Sequence, residues 1–320
     1  MPARFTSASS QRRVVALGGG HGLAAALTAL RLLTDEVTAV VTVADDGGSS
    51  GRLRADFDVL PPGDLRMALS ALCDDSDWGH TWRDVLQHRF AGTGELQGHA
   101  LGNLMIVSIW ELLGDTVAGL DLVGRLLGAR GRVLPMAAEP LEIVAEIIGH
   151  EPEHPFDRSV VHGQHLVASS PGRVSSIGIL PTCPVPCVEA VEAVAQADWV
   201  MLGPGSWFTS VMPHLLVPGL ADALVATSAR RLLNLNLEVH KGETRDFRAE
   251  DHLMSFAEHA PDVRLDVVLA DPSVVPDEPA LRSAARELGA ELVVAPVAAR
   301  HEPGVHDALR LAAALRDVIS

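Results

Sequence analysis

VADDGGSSGRLR, residues 43–54, closes the apolar run Val37–Val43, and its reading decides the fold of this chain. An unbroken apolar run that ends in charge reads as a buried strand of a parallel sheet. Asp45 and Asp46 leave that strand. Gly47, Gly48 and Gly51 then bracket Ser49 and Ser50, and Arg52 and Arg54 follow at once. Clustered glycines let backbone N–H groups turn inward to cradle phosphate, and guanidinium forks match a pair of phosphate oxygens. The two carboxylates suit ribose hydroxyls, a polar ring or Mg²⁺ better than phosphate. A solvated turn between strand and helix is the competing reading.

A second glycine cluster upstream favours the nucleotide reading. Gly18-Gly19-Gly20-His21-Gly22 follows the apolar Val14-Val15-Ala16-Leu17 and opens an Ala/Leu-rich helix running to about Leu33. Gly20, Gly22 and Ala25 fit the G-x-G-x-x-A pattern of dinucleotide-binding turns. The free amides of such a helix N-terminus form an anion site. Asp45 falls at the end of the second strand, the place of a ribose-binding acid. The expected fold is α/β, a Rossmann-like three-layer α/β/α arrangement with a mainly parallel sheet.

A length of 320 residues with 48% apolar content supports a large buried core. The formal net charge of −16 argues against general affinity for nucleic acid or anionic membranes. No apolar run nears the ~20 residues that span a bilayer. Met1–Gln11 lacks the apolar stretch of a secretory signal, so residues 1–12 are expected to be a disordered tail. Cys73, Cys183 and Cys187 are odd in number and at no metal spacing, which points to a reducing cytoplasm.

Beyond the first two strands, helical period is expected over Leu65–Leu72, Trp82–Phe90, Leu101–Leu113 and Asp115–Leu127, with Asp64 as N-cap of the first. From about 132 to 181 the pattern shifts to short β-like runs, Leu141–Ile148, His162–Ala168 and Val174–Leu180. They suggest a β-rich insertion in a single domain of residues 13–320. Alternation resumes with helix Val188–Ala197, strand Trp199–Leu202, helix Pro218–Ala226, strand Arg231–Leu237 and strand Leu265–Ala270. Helix Pro279–Leu288, strand Glu291–Pro296 and a final helix from His306 complete it.

Ligands of such sheets bind beyond the carboxyl ends of the strands. Polar clusters are expected there: Gly203-Pro204-Gly205-Ser206, with Ser206 able to cap the next helix; Asn236, with Lys241-Gly242-Glu243-Thr244 close behind; and Gly98-His99-Ala100-Leu101-Gly102-Asn103. His99 and Asn103 fall four apart on one helical face. His21 either meets a phosphate or caps its helix. Arg66 either reaches the ligand or pairs with Asp64 or Asp56. The donors expected to capture an anionic ligand are the amides of 18–22 and 203–206 together with Arg52, with Arg66 as a further candidate.

These motifs resemble the gluconeogenesis factor family, the YvcK-like proteins, which are related to the 2-phospho-L-lactate transferases. The resemblance rests on GGGHG at 18–22, TVADDGGSSGRLR at 42–54, PPGDLRMAL at 61–69 and QHRF at 87–90. It continues with GHALGN at 98–103, GPGSWFTSVMPHLLVPG at 203–219 and GET at 242–244, in family order. Two positions depart from the commoner pattern: His21 stands where many members carry Thr, and Val239-His240-Lys241 stands where many carry Thr-Gln-Pro. The resemblance implies a cytoplasmic, Rossmann-like protein that binds UDP-N-acetylglucosamine. It also implies a role in cell shape and cell-wall precursor supply on gluconeogenic carbon sources, acting as a regulator through a protein effector, with no established reaction.

Two other functions stay open on the residues. One is a metal-dependent transferase in which Asp45 and Asp46 hold Mg²⁺. The other is an NAD-dependent oxidoreductase using Gly20, Gly22, Ala25 and Asp45. No catalytic residue is assigned, and whether the chain forms a homodimer is left open.

Overall fold

The computed structural model describes residues 12–238, 242–245 and 247–319. The N-terminal tail expectation (save residue 12) and the Val239-His240-Lys241 departure lie outside them.

Seven parallel strands form the central sheet: β1 (Val14–Gly18), β2 (Val37–Val41), β3 (Arg132–Pro135), β7 (Trp199–Leu202), β8 (Arg230–Asn234), β9 (Val267–Ala270) and β10 (Glu291–Val294). Their order is β10-β9-β8-β7-β1-β2-β3. The strands on which both faces are covered are wholly apolar, as burial on two sides requires: β1, β7 and β9 are buried along their whole length. Val14 of β1 is register partner to Val37 on one side and Trp199 on the other.

This order puts a switch point between β1 and β7. The chain leaves β1 toward β2 but leaves β7 toward β8, in opposite directions. Right-handed crossovers therefore place the connecting helices on opposite faces of the sheet. Helix α1 (Gly20–Leu30) packs against helices 62–72 and 308–319 on one face, while Val188–Gln196 packs with Pro218–Ala226 on the other. The result is the expected three-layer α/β/α arrangement with a mainly parallel sheet.

The small sheet is antiparallel and holds β4 (Glu142–Ile148) between β5 (Arg158–His162) and β6 (Arg173–Leu180). Two details differ from the sequence pattern. Arg132–Pro135 is an edge strand of the main sheet, because Val133 and Leu134 pair with Ala39 and Val40. The segment expected as strand His162–Ala168 is divided: β5 ends at His162, Gly163 has φ 95°, and residues 164–169 are helical. A positive φ turns the chain out of the extended form.

The connection after β2 is short, since β2 ends at Val41. Helix α2 (Gly48–Phe57) begins inside the DDGGSSGRLR motif, so Ser49, Ser50, Arg52 and Arg54 are helical residues. The next helices are α3 (Pro62–Leu72), α4 (Asp77–Gln87) and α5 (Leu101–Leu113). Helix α3 starts at Pro62, a residue preset for a first helical position, with Pro61 as N-cap. Asp64 thus lies within the first turn of the helix and does not cap it.

Candidate functional site

The carboxyl ends of β1 and β7 carry the two glycine turns, and these turns press together. A side chain on Gly22 would fall on the carbonyl of Pro204, and one on Gly205 would approach the Gly19 carbonyl at 3.5 Å. Gly20 has φ 59°, with nothing within 4 Å of the place a Cβ would take. The turn thus has a packed side, Gly22, and an open side, Gly20 with the exposed His21.

Beside this turn lies a cleft of about 370 Å³ lined by residues that include His21, Gly205, Ser206, Asn236, Glu243 and His306. Asn236 fixes its floor: the Gly205 N–H donates to Asn236 Oδ1 at 2.7 Å, and Asn236 Nδ2 donates back to the Gly205 carbonyl. Gly203 is buried and Ser206 exposed. Ser206 precedes the short helical turn Trp207–Val211 but makes no side-chain cap.

Glu243, from the GET segment, makes that cap instead. Its Oε1 accepts the Phe208 N–H at 2.7 Å. Burial pushes the Glu243 carboxyl up to about 7, although neighbouring amides and the Thr209 hydroxyl favour its charged form. His306 is held neutral, its imidazole brought down to about 4 by burial against the pull of Asp271 and the Leu235 carbonyl.

The α1 N-terminus is similarly occupied. The Asp64 carboxyl stands there, raised to about 7 first by burial and then by the Asp45 charge, with the nearby Gly20 amide favouring its charged form. Its Oδ2 lies 2.6 Å from the Cβ position of Gly19. At the first glycine turn the expected anion-binding amides thus face a carboxyl of the chain, while at the second the Gly205 amide is taken by Asn236 and Glu243 caps the turn beyond it.

Asp45 and Asp46 diverge. Asp45 Oδ1 accepts the Gly47 N–H at 2.9 Å, and its Oδ2 lies 2.8 Å from the Cβ position of Gly63. Asp46 Oδ1 instead accepts the His165 N–H at 2.9 Å, at the start of the helix beyond β5. A Mg²⁺ ion held between the two is not what this geometry provides. Among the described residues no group of three or more His, Cys, Asp and Glu side chains is placed to hold a metal.

The serines and the GHALGN segment build a buried support. Ser49 Oγ accepts from Asn103 Nδ2 at 3.0 Å and from the Ala100 N–H at 3.4 Å. Its own proton then goes to His99 Nδ1, 3.0 Å away, which assigns the neutral tautomer protonated on Nε2. Burial and the Arg52 charge both lower the His99 pKa. His99 precedes α5 and so does not share a helical face with Asn103; Ser49 joins them. Ser50 is buried beneath Gly63. Arg66 pairs with neither Asp64 nor Asp56; its Nε donates to Asn103 Oδ1 at 2.8 Å and its Nη1 to Gln87 Oε1. Arg52 Nη1 and Nη2 donate to the carbonyls of Glu95 and Gln97 at 3.2 and 2.7 Å.

His306 is not among the residues expected at the cleft, and Glu243 is expected only as part of the cluster behind Asn236. GET was legible as a motif, but the partner of Glu243 lies 35 positions away, and nothing local in the sequence links the two.

A family model described as 2-phospho-L-lactate transferase CofD matches residues 14–309. A Mycobacterium tuberculosis protein named, provisionally, a gluconeogenesis factor is 54% identical over 308 residues, covering 95% of this chain and 90% of its own. The gluconeogenesis factor of Listeria monocytogenes is 38% identical over 266 residues, covering 83% of this chain and 79% of its own. A crystal structure of a UPF0052 family member from Bacillus halodurans is similar with a TM-score of 0.83 and 30% identity, over 96% of this chain and 99% of that one.

Proposed function

The chain belongs to the CofD family, and from that premise we propose that it is a cytoplasmic nucleotide-sugar-binding regulator whose ligand is UDP-N-acetylglucosamine. In this reading it acts on cell shape and cell-wall precursor supply during growth on gluconeogenic carbon sources, through a protein effector. The observation that carries the ligand class is the cleft beside the β1/β7 switch point, where open α/β sheets bind nucleotides. It is concave and of ligand size, with few polar groups set in a largely formed surface. The open side of the glycine turn, with His21 and Ser206 exposed, accepts the nucleotide. The buried carboxyl of Glu243, which lines the cleft and is raised toward neutrality, can then face sugar or base hydroxyl and amide groups.

A dehydrogenase is disfavoured by Asp45, whose carboxylate is turned to the Gly47 amide. A transferase using an Asp45–Asp46 metal pair is disfavoured by the divergence of those side chains.

The test is calorimetric titration of UDP-N-acetylglucosamine, GDP and NAD⁺, each with and without Mg²⁺. Tight binding of UDP-N-acetylglucosamine alone, independent of Mg²⁺ and with no product formed, is the expected result. Preference for GDP with Mg²⁺ would move the reading to a transferase.

A further inference from the structure

Three guanidinium groups gather around the hairpin-like segment 88–101, and none has a carboxylate within 4 Å among the described residues. Arg66 is 3% exposed and lies at the base. Its hydrogen-bond partners, Asn103 and Gln87, are neutral. Gly102 makes room for it: a Cβ there would stand 2.8 Å from Arg66 Cδ. Arg89 and Arg52 are exposed at the rim and converge on one peptide. Arg89 Nη1 donates to the Gly98 carbonyl at 2.9 Å, and Arg52 Nη2 lies 3.8 Å from the Cβ position of the same Gly98.

A buried cation is costly unless an opposite charge accompanies it. Here Arg66 has been brought down to about 10 by burial and by the like charge of Arg89, with Asp64 and Asp45 offsetting only part of this. Clustering like charges in a chain of net charge −16 runs against the simplest arrangement, in which each arginine takes one of the 41 acidic residues. The neutral partners also orient the forks without neutralising them. Guanidinium forks matched to a tetrahedral or planar anion are the arrangement that uses such a cluster.

We propose that Arg52, Arg66 and Arg89 form a phosphate-binding subsite, separate from the α1 N-terminus that Asp64 already occupies. Two sources share this chemistry: the diphosphate of the nucleotide sugar itself, or a second, phosphorylated ligand. The inference concerns the phosphate group and stands apart from the identity of the nucleotide.

Inorganic phosphate and pyrophosphate are titrated into the full-length protein by calorimetry, in chloride-matched buffer free of other oxyanions. Saturable binding is expected, weakened about tenfold in Arg89→Ala and partly recovered in Arg89→Lys, since a point charge cannot reproduce the fork. Arg89 is exposed, so its loss spares the core. Arg282→Ala, which removes an arginine from the helix Glu278–Glu287 outside both sites, serves as the variant that keeps phosphate affinity. Repeating the titration with saturating UDP-N-acetylglucosamine separates the sources: competition assigns the subsite to the ligand's own diphosphate, and simultaneous binding assigns it to a second ligand. Binding of phosphate but not of the nucleotide sugar would sink the nucleotide-sugar reading and leave this one standing. No saturable binding of either anion, or equal affinity in Arg89→Ala, would overturn it.

Discussion

Asp64 Oδ2 lies 2.6 Å from the place a Cβ of Gly19 would take, so a carboxyl of the protein itself stands at the N-terminus of α1. A carboxyl whose folded pKa is about 7 against 3.8 when free binds its proton in the native state over a range where the unfolded chain has released it. Stability therefore falls as pH rises between those two values and is level above them, at about 1.4 kcal/mol per unit of separation. In Asp64→Asn that slope disappears while the shape of the side chain is kept. Urea unfolding of both proteins at about pH 5 and about pH 8 checks it. The variant should gain relative to wild type at the higher pH, and an unchanged difference would place the Asp64 pKa near its free value.

His214 titrates with the opposite sign. It is fully buried between the Val211 and Val40 carbonyls, and burial brings it down from 6.5 to about 4. The unfolded chain takes up the proton first as pH falls through that interval, so stability is lost there. His214→Gln should flatten the acid limb of the unfolding profile, whatever it costs in packing at neutral pH.

Gly22 and Gly20 predict contrasting substitutions. Gly22→Ala drives a methyl group into the Pro204 carbonyl and should cost about 1–3 kcal/mol of stability by overpacking. Gly20→Ala meets no atom, and its φ of 59° costs about 1–2 kcal/mol as a left-handed residue. Thermal melts separate the two, and nucleotide titration of Gly20→Ala reports whether the open side of the turn meets the ligand.

Asn236→Ala removes both hydrogen bonds to the Gly205 peptide. Leaving that peptide unsatisfied should cost about 1–3 kcal/mol, with a parallel loss of affinity for a nucleotide ligand lying on it. Full affinity in a folded variant would show that the ligand avoids the second glycine turn.

Ser49→Ala tests the buried support. It strips one partner each from His99, Ala100 and Asn103 and should cost about 1–3 kcal/mol. Ser49→Thr, which keeps the hydroxyl, should fare better if its added methyl is accommodated, and denaturant midpoints decide it.

Much of this fold was legible because its strands are apolar runs bounded by glycine turns. β1, β7 and the motif after β2 announce themselves locally, and a strand-glycine-helix order has few topological outcomes. The small sheet was less legible at residues 162–168: Val167 is a core residue in either a strand or a helix, and only the turn at Gly163 distinguishes them. Within the site, residue positions could be read but not their partners. Asp64 looked like a cap for its own helix and instead serves α1. Arg52 was legible as a fork, but not the carbonyls of residues 95 and 97 that orient it. A side chain's orientation depends on which distant backbone groups lack a partner, and sequence proximity carries no record of that.

The pairing of Val14 with Trp199 also sets the order of assembly. One lip of the cleft is synthesised at the start of the chain, while the other waits until β7 and the turn after it emerge. Until then β1 has only β2 beside it and an open edge on the other side. The half-finished protein can thus own a complete DDGGSS motif and still lack a cleft, so ligand protection of a nascent or truncated chain should begin only after the strand bearing Trp199 has docked and the segments carrying Asn236, Glu243 and His306 have followed.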